Sequence, residues 1–170
     1  SQRVLILLAK TTYRAKAFME AGRKLGLEIS VGSNHQQSLS EAVPGSSLLL
    51  DPDDIITSAK RIVEFHSRYE LSGVVAAEDD FAILAATVAE SIGLVQHSLK
   101  GVSVVRNKGL MREKLAGKEG YTIWFQNCDL SEDINSILEK IRFPCVVKPT
   151  SLSGSRGVTR CNNSEEFMIA

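Results

Sequence analysis

Short apolar runs alternate with stretches of helical spacing through the first half of the chain. Val4 to Ala9 is apolar at every position and too short for a helix, which predicts a strand buried on both faces. From Tyr13 to Leu25, the residues Phe18, Ala21, Gly22 and Leu25 fall at i, i+3, i+4 and i+7 and mark one helix face. Gly26 follows where a helix end favours a left-handed residue. Leu27 to Val31 predicts a second strand, and the Ser-, Asn-, Gln-, Pro- and Gly-bearing stretch from Gly32 to Ser47 an irregular connection. Leu48 to Leu50 is a third short strand. Asp51-Pro52-Asp53-Asp54 then reads as a helix start, with Asp51 as the N-cap and Pro52 in the first helical position. Ile55, Ala59 and Ile62, with Ile56 and Val63, predict an inward apolar face that continues to residue 69. Gly73 to Ala77 is a fourth strand, Glu78-Asp79-Asp80 a capping turn, and Phe81, Ala85, Val88 and Ile92 the next helix. Strand and helix in this rhythm predict a parallel sheet with helices on both faces, a small Rossmann-like α/β domain.

After Leu94 the pattern changes, and residues 1–97 separate from residues 98–170 as two domains. Residues 98–116 form a basic stretch of helical character with Lys100, Arg106, Lys108, Arg112 and Lys114. Tyr121 to Phe125 is rich in β-forming side chains, with Trp124 a core residue. Asp129-Leu130-Ser131-Glu132 resembles a capping box ahead of a helix carrying Ile134, Ile137, Leu138 and Ile141. Pro144 to Pro149 reads as a strand ended by proline, Gly157 to Arg160 as a returning strand, and Ser164-Glu165-Glu166 as another helix start. This second unit is α+β and is expected to be incomplete.

Charge narrows the function. Twenty Lys+Arg balance twenty Asp+Glu, the net charge is zero and the pI is near 6.8, so the broad basic surface of a nucleic-acid binder is absent. No apolar run approaches the roughly 20 residues of a membrane span. The three cysteines, Cys128, Cys145 and Cys161, include no C-x-x-C pair, and neither a zinc knuckle nor a disulfide framework is readable. A reducing, cytoplasmic setting is expected. His35, His66 and His97 lack a metal-ligand partner at i+4, so no metal site is predicted.

Candidate chemistry is phosphate recognition. The turn after the first strand, Ala9-Lys10-Thr11-Thr12-Tyr13, has no glycine, which argues against a dinucleotide fingerprint; no P-loop motif occurs either. Lys10 with Thr11 and Thr12 could receive an anion there, or be a solvated basic turn. The informative segment runs from Val146 to Val158. A strand delivers Lys148 at its end, and Ser151, Ser153, Gly154, Ser155, Arg156 and Gly157 follow in a loop of mostly small residues. Small side chains let successive backbone N–H groups converge on phosphate oxygens, serine hydroxyls add donors, and a lysine adds a point charge. A flexible hairpin turn fits the same composition equally well.

Lys148-Pro149 with the following Ser-Leu-Ser-Gly-Ser-Arg-Gly-Val resembles the first nucleotide-binding subdomain of ATP-grasp enzymes, where a strand ending in lysine leads into a phosphate-covering loop. Arg106-Asn107-Lys108-Gly109-Leu110-Met111-Arg112-Glu113-Lys114-Leu115 resembles the Asp-Lys segment that opens the ATP-grasp domain. Val74 to Gly93 resembles part of the pre-ATP-grasp domain. The resemblance implies an ATP-dependent ligase that activates a small carboxylate as an acyl phosphate for attack by an amine, ammonia or thiol. It implies that Lys108 and Lys148 reach the nucleotide phosphates, Lys148 also lying near the adenine, and that Ser153 to Gly157 close over the β- and γ-phosphates. ATP and Mg²⁺ are the implied cofactors, with the metal ligands, the adenine hinge and the second subdomain expected beyond residue 170. No catalytic residue is assigned, a homo-oligomer is left open, and these residues alone are expected to be inactive. Asn107 replaces the family's usual acidic residue, and Leu152 a position often held by glycine. The competing expectation is a non-enzymatic Rossmann-like binding or interaction module.

Overall fold

The computed structural model describes residues 2–9, 12–35, 43–95, 97–121 and 123–170. The chain divides into two compact units, Ser1–Ser103 and Val104–Ala170. In the first, β1 (Arg3–Leu8), β2 (Glu28–Ser33), β3 (Ser47–Leu49) and β4 (Gly73–Ala76) form one parallel sheet in the order β3-β2-β1-β4. Crossover helices α1 (Ala15–Lys24) and α2 (Ile55–Arg68) join its strands, and α3 (Ala82–Ser91) follows β4 through a 3₁₀ turn at Asp79–Phe81. The Rossmann-like parallel sheet expected from the sequence is present.

β1 explains why the sheet is covered on both sides. Its side chains alternate, and both sets are buried. Leu5 and Leu7 join Leu50, Ile62, Leu71, Phe81, Leu84 and Val88 in one cluster; Ile6 and Leu8 join Ala77 in another, against Ala15 and Phe18 of α1. A fully buried Leu or Phe contributes about 1.5–3 kcal/mol, so these two clusters dominate the unit's stability.

Helix faces differ in detail from the expected ones. In α1 the inward stripe is Ala15, Phe18 and Gly22, while Ala21 and Leu25 are exposed. Gly22 is buried because β2 passes close: a Cβ there would lie 2.5 Å from Cδ1 of Ile29. Gly26 has φ +67°, the left-handed end the sequence predicts. In α2, Ile62 is buried and Ile55 and Ala59 pack on the core, but Ile56 and Val63 are exposed. They sit about 100° round the helix from Ile55 and Ile62, beyond the reach of the core.

The start of α2 also lies later than expected. Asp54, not Asp51, is the N-cap, accepting from the Thr57 backbone N–H at 3.0 Å. Asp51 instead turns the chain, accepting from the Asp53 N–H. Its own N–H donates to Ser58 Oγ, whose hydroxyl donates back to the Asp51 carbonyl, so a buried serine pins the strand end to the helix. Glu78 makes no side-chain capping bond; its carboxylate accepts from the Thr12 hydroxyl. The helix beyond it starts at Ala82 without a side-chain cap.

Beyond Ile92 the expected single basic helix is two. α4 (Leu99–Arg106) and α5 (Lys108–Leu115) are separated at Asn107, where the backbone is extended with φ −110° and ψ +110°. α6 (Ile134–Leu138) is capped by Asp133, and the Asp129–Glu132 motif closes a turn of its own, Glu132 accepting from the Asp129 N–H. β5 (Cys145–Val147) and β6 (Thr159–Cys161) pair antiparallel, and α7 (Ser164–Ile169) follows. Among the described residues 121 and 123–129 no strand forms. β propensity needs a paired neighbour to act on, and the only sheet described in this unit is the β5–β6 hairpin. Tyr121, Ile123 and Phe125 instead line a cavity of about 190 Å³ against Arg112 and Leu115 of α5. Trp124 is not core: it is half-buried, with the Arg142 guanidinium 5.8 Å from its ring centroid.

Two measurements check this account. Phe81→Ala should cost about 3–5 kcal/mol in urea unfolding, and exposed Ile56→Ala within about 0.5 kcal/mol of none. The bonds from Thr57 hold the Asp54 carboxylate below the usual carboxylate range. Its contribution to stability is therefore complete above the unfolded value of about 3.9 and is lost as pH falls through the lower folded value. Asp54→Asn should flatten that acid limb of a stability–pH profile.

Candidate functional site

Asn107 sets the position of the first candidate lysine. Its side-chain oxygen accepts from the Leu110 backbone N–H at 3.1 Å, an N-cap that starts α5 at Lys108. Lys108 thus occupies the first turn, with an N–H that the helix itself cannot use. That N–H donates to the Thr150 carbonyl at 2.9 Å, and the Lys108 ammonium donates to the Leu152 carbonyl. A residue more than forty positions upstream is thereby fastened twice to the Ser/Gly segment. The opposite side of α5 is held as well. Buried Gly109 leaves room for Asn127, whose amide donates to Glu113 at 2.6 Å; a Cβ on Gly109 would come within 2.7 Å of the Asn127 side-chain oxygen.

The segment itself connects β5 to β6. Lys148 follows β5 directly and is exposed, on the same side of the strand as exposed Val146. Ser151, Gly154, Ser155, Arg156 and Gly157 are exposed, and Ser153 is half-buried. At the tip, Ser153 O accepts from the Arg156 backbone N–H at 3.4 Å and from Arg156 Nε at 3.1 Å. Gly154 and Ser155 between them both have positive φ, +66° and +58°, the pairing that a tight primed turn demands. Gly157, at φ +66°, lies against Pro149: a Cβ would meet its Cγ at 2.9 Å. Pro149 and Gly157 thus fix the neck of the loop, while Ser151 and Ser155 are exposed on it.

Such an arrangement can bind an anion: a helix start, two lysines and a loop of small residues with exposed donors. The structure brings Lys108 to the loop. It places Lys148 at the loop's origin, with no hydrogen bond to Lys108. Lys10 and Thr11, the other anion candidate, lie outside the described residues. Among the described residues, no group of three or more His, Cys, Asp or Glu could hold a metal ion, and no helix is long and apolar enough to cross a membrane. Sequence reasoning missed the roles of Asn107 and Asn127. The first had a signal, since Asn is a preferred N-cap, but the helical spacing on either side masked it.

The fold of the chain is shared with parts of several solved ligases. The similarity can be stated for particular proteins. The L-amino acid ligase of Bacillus licheniformis superposes with a TM-score of 0.78 at 19% identity, covering 98% of this chain and 40% of that enzyme. The N5-carboxyaminoimidazole synthetase of Staphylococcus aureus, solved in complex with ADP, superposes with a TM-score of 0.75 at 12% identity, covering 99% of this chain and 43% of the other. By sequence, the uncharacterized protein y4rH of Sinorhizobium fredii (strain NBRC 101917 / NGR234) is 22% identical over 98% of this chain and 35% of its own length. No protein-family model matches. The chain therefore spans well under half the length of each of these three proteins.

The cap makes a specific expectation. Asn107→Ala should cost about 1 kcal/mol in thermal or urea unfolding, whereas Asn107→Asp, an equally good cap, should cost almost nothing. Equal losses in the two variants would contradict the capping role.

Proposed function

We propose that Lys108, Lys148 and the loop from Ser151 to Gly157 are the phosphate-binding part of an ATP-dependent ligase of ATP-grasp type. The observation that carries this reading is the double attachment of Lys108 to the Thr150 and Leu152 carbonyls. The backbone bond satisfies an N–H that the helix start leaves over, and the ammonium contact adds a cation at the loop, where a phosphate cradle needs one. The fold shared with ligases, one of them solved with ADP, agrees with it.

Bound ATP would supply a γ-phosphoryl group whose transfer to a small carboxylate gives an acyl phosphate open to attack by an amine, ammonia or thiol. Here Lys108 and Lys148 offset the negative charge of the phosphate oxygens, and the loop amides of Ser153 to Gly157 donate to them, that of Arg156 on leaving the Ser153 carbonyl. Exchanging the Leu152 carbonyl for a phosphate oxygen would free the loop to move over the nucleotide. The serine hydroxyls can add donors without fixing the loop's shape. The Mg²⁺ that accompanies ATP would be held by carboxylates and by the phosphate oxygens themselves. On this reading the carboxylates belong to the remainder of the ligase architecture, on which turnover also depends. The setting is one that supplies ATP, the cytoplasm.

Calorimetric titration with ATP tests the assignment. Lys108→Ala and Lys148→Ala should each weaken binding by roughly 10- to 150-fold, the effect of losing a charge-assisted contact of about 1.5–3 kcal/mol. Lys114→Ala, exposed on the same helix as Lys108, should change it less than twofold. Arginine should rescue either position poorly, because a planar fork does not replace a compact ammonium. Equal, small effects at all three positions would leave the Rossmann-like binding module as the better description.

A further inference from the structure

The hairpin that carries the loop also carries two of the chain's three cysteines. Cys145 opens β5 and Cys161 closes β6, and the antiparallel register sets them directly opposite each other. Directly opposed residues in such a ladder have Cα atoms about 4.5–5.5 Å apart, inside the range of about 4.4–6.8 Å that a disulfide spans. Both thiols are free, and on directly opposed residues their side chains leave the hairpin on the same face. They differ in access: Cys161 is fully buried, while Cys145 is half-buried and open to solvent on one side. Cys128 is exposed and lies between α5 and α6 in sequence, outside the hairpin.

We propose that Cys145 and Cys161 are a modification site, a thiol pair that a small-molecule disulfide converts into a cross-strand disulfide at the base of the loop. The Cys145 thiolate attacks one sulfur of the reagent, forming a mixed disulfide and releasing a thiolate. The Cys161 thiolate then attacks the Cys145 sulfur of that mixed disulfide and releases the second thiolate. Two protein thiols are oxidised by two electrons, the reagent is reduced to two thiols, and these take up the two protons the cysteines lost. The order follows from access, since only Cys145 can meet the reagent. Burial, with Cys161 alongside, pushes the Cys145 thiol up, which slows the first attack at neutral pH. The product closes the loop covalently across residues 145–161 and restricts the neck from which Lys148 and the Ser/Gly segment extend. The thiol chemistry does not depend on the phosphate reading of that segment.

The test is incubation of the whole protein with oxidised glutathione, followed by intact mass and non-reducing peptide mapping. Expected is loss of two hydrogens and one peptide pair joining Cys145 to Cys161, with Cys128 free or carrying a single glutathione. Amide exchange of Val146, Val147, Thr159 and Arg160 should slow by about tenfold or more in that product. Cys161→Ser should stop at the mixed disulfide on Cys145, and Cys145→Ser should leave Cys161 unmodified. Should a serine at buried position 161 fail to fold, the unaltered protein and Cys145→Ser still decide the matter. A disulfide involving Cys128, a wild-type product halted at the mixed disulfide, or no reaction at Cys145 would overturn the proposal. ATP titration is not part of this test, so failure of the phosphate reading would leave its result unchanged.

Discussion

The hydrogen bond from the Lys108 backbone N–H to the Thr150 carbonyl is the constraint on which the candidate site depends. A helix leaves its first N–H groups without partners, and a loop of small residues leaves carbonyls without partners. Joining one deficit to the other fixes the start of α5 against the neck of the loop. Everything else in the site is arranged around that bond. Asn107 ends α4 and starts α5, Gly109 lets Asn127 pack closely behind, and Pro149 with Gly157 holds the neck from the other side. The Lys108 ammonium needs only a short reach to the Leu152 carbonyl.

The first unit depends on a different constraint, the burial of β1 on both faces. A strand whose alternate residues feed two apolar clusters needs cover on both faces, and it draws helices onto both sides of the sheet. This is why the short apolar run at the start of the chain was so informative. The loops after β1 and β4 are also tied, by the Thr12 hydroxyl to Glu78 and by the Arg14 guanidinium to the Ala77 carbonyl.

Much of the fold was legible because strands buried on both faces are written as unbroken apolar runs. Val4 to Ala9 was recognisable for that reason; Gly73 to Ala77 was recognisable as a short apolar run, although Val75 is exposed, and the amphipathic stripes between them indicated helices. Boundaries were less legible wherever several residues compete for one role. Asp51 and Asp54 are equally good caps by residue type, and the bond that Asp54 accepts from the Thr57 N–H is what starts α2 at Ile55. Tyr121 to Phe125 failed as a strand because composition records propensity and not the presence of a pairing partner. The Ser/Gly loop and its lysine could be read from small residues following a strand. Asn107 could not, since a cap inside an uninterrupted helical spacing leaves no break in hydrophobicity. The pairing of Cys145 with Cys161 was equally hidden, because it depends on hairpin register and not on sequence spacing.

The central claim is that Lys108 and the β5–β6 loop act together on a nucleotide's phosphates. Backbone amide resonances of isotopically labelled protein, followed during titration with ATP and separately with adenosine, test it most directly. The account predicts that ATP shifts the amides of Lys108 and of Ser151 to Gly157 in one saturable process, and that adenosine, which lacks phosphates, leaves the Ser153 to Gly157 amides in place. Unmoved loop amides at saturating ATP, or equal shifts with adenosine, would contradict it.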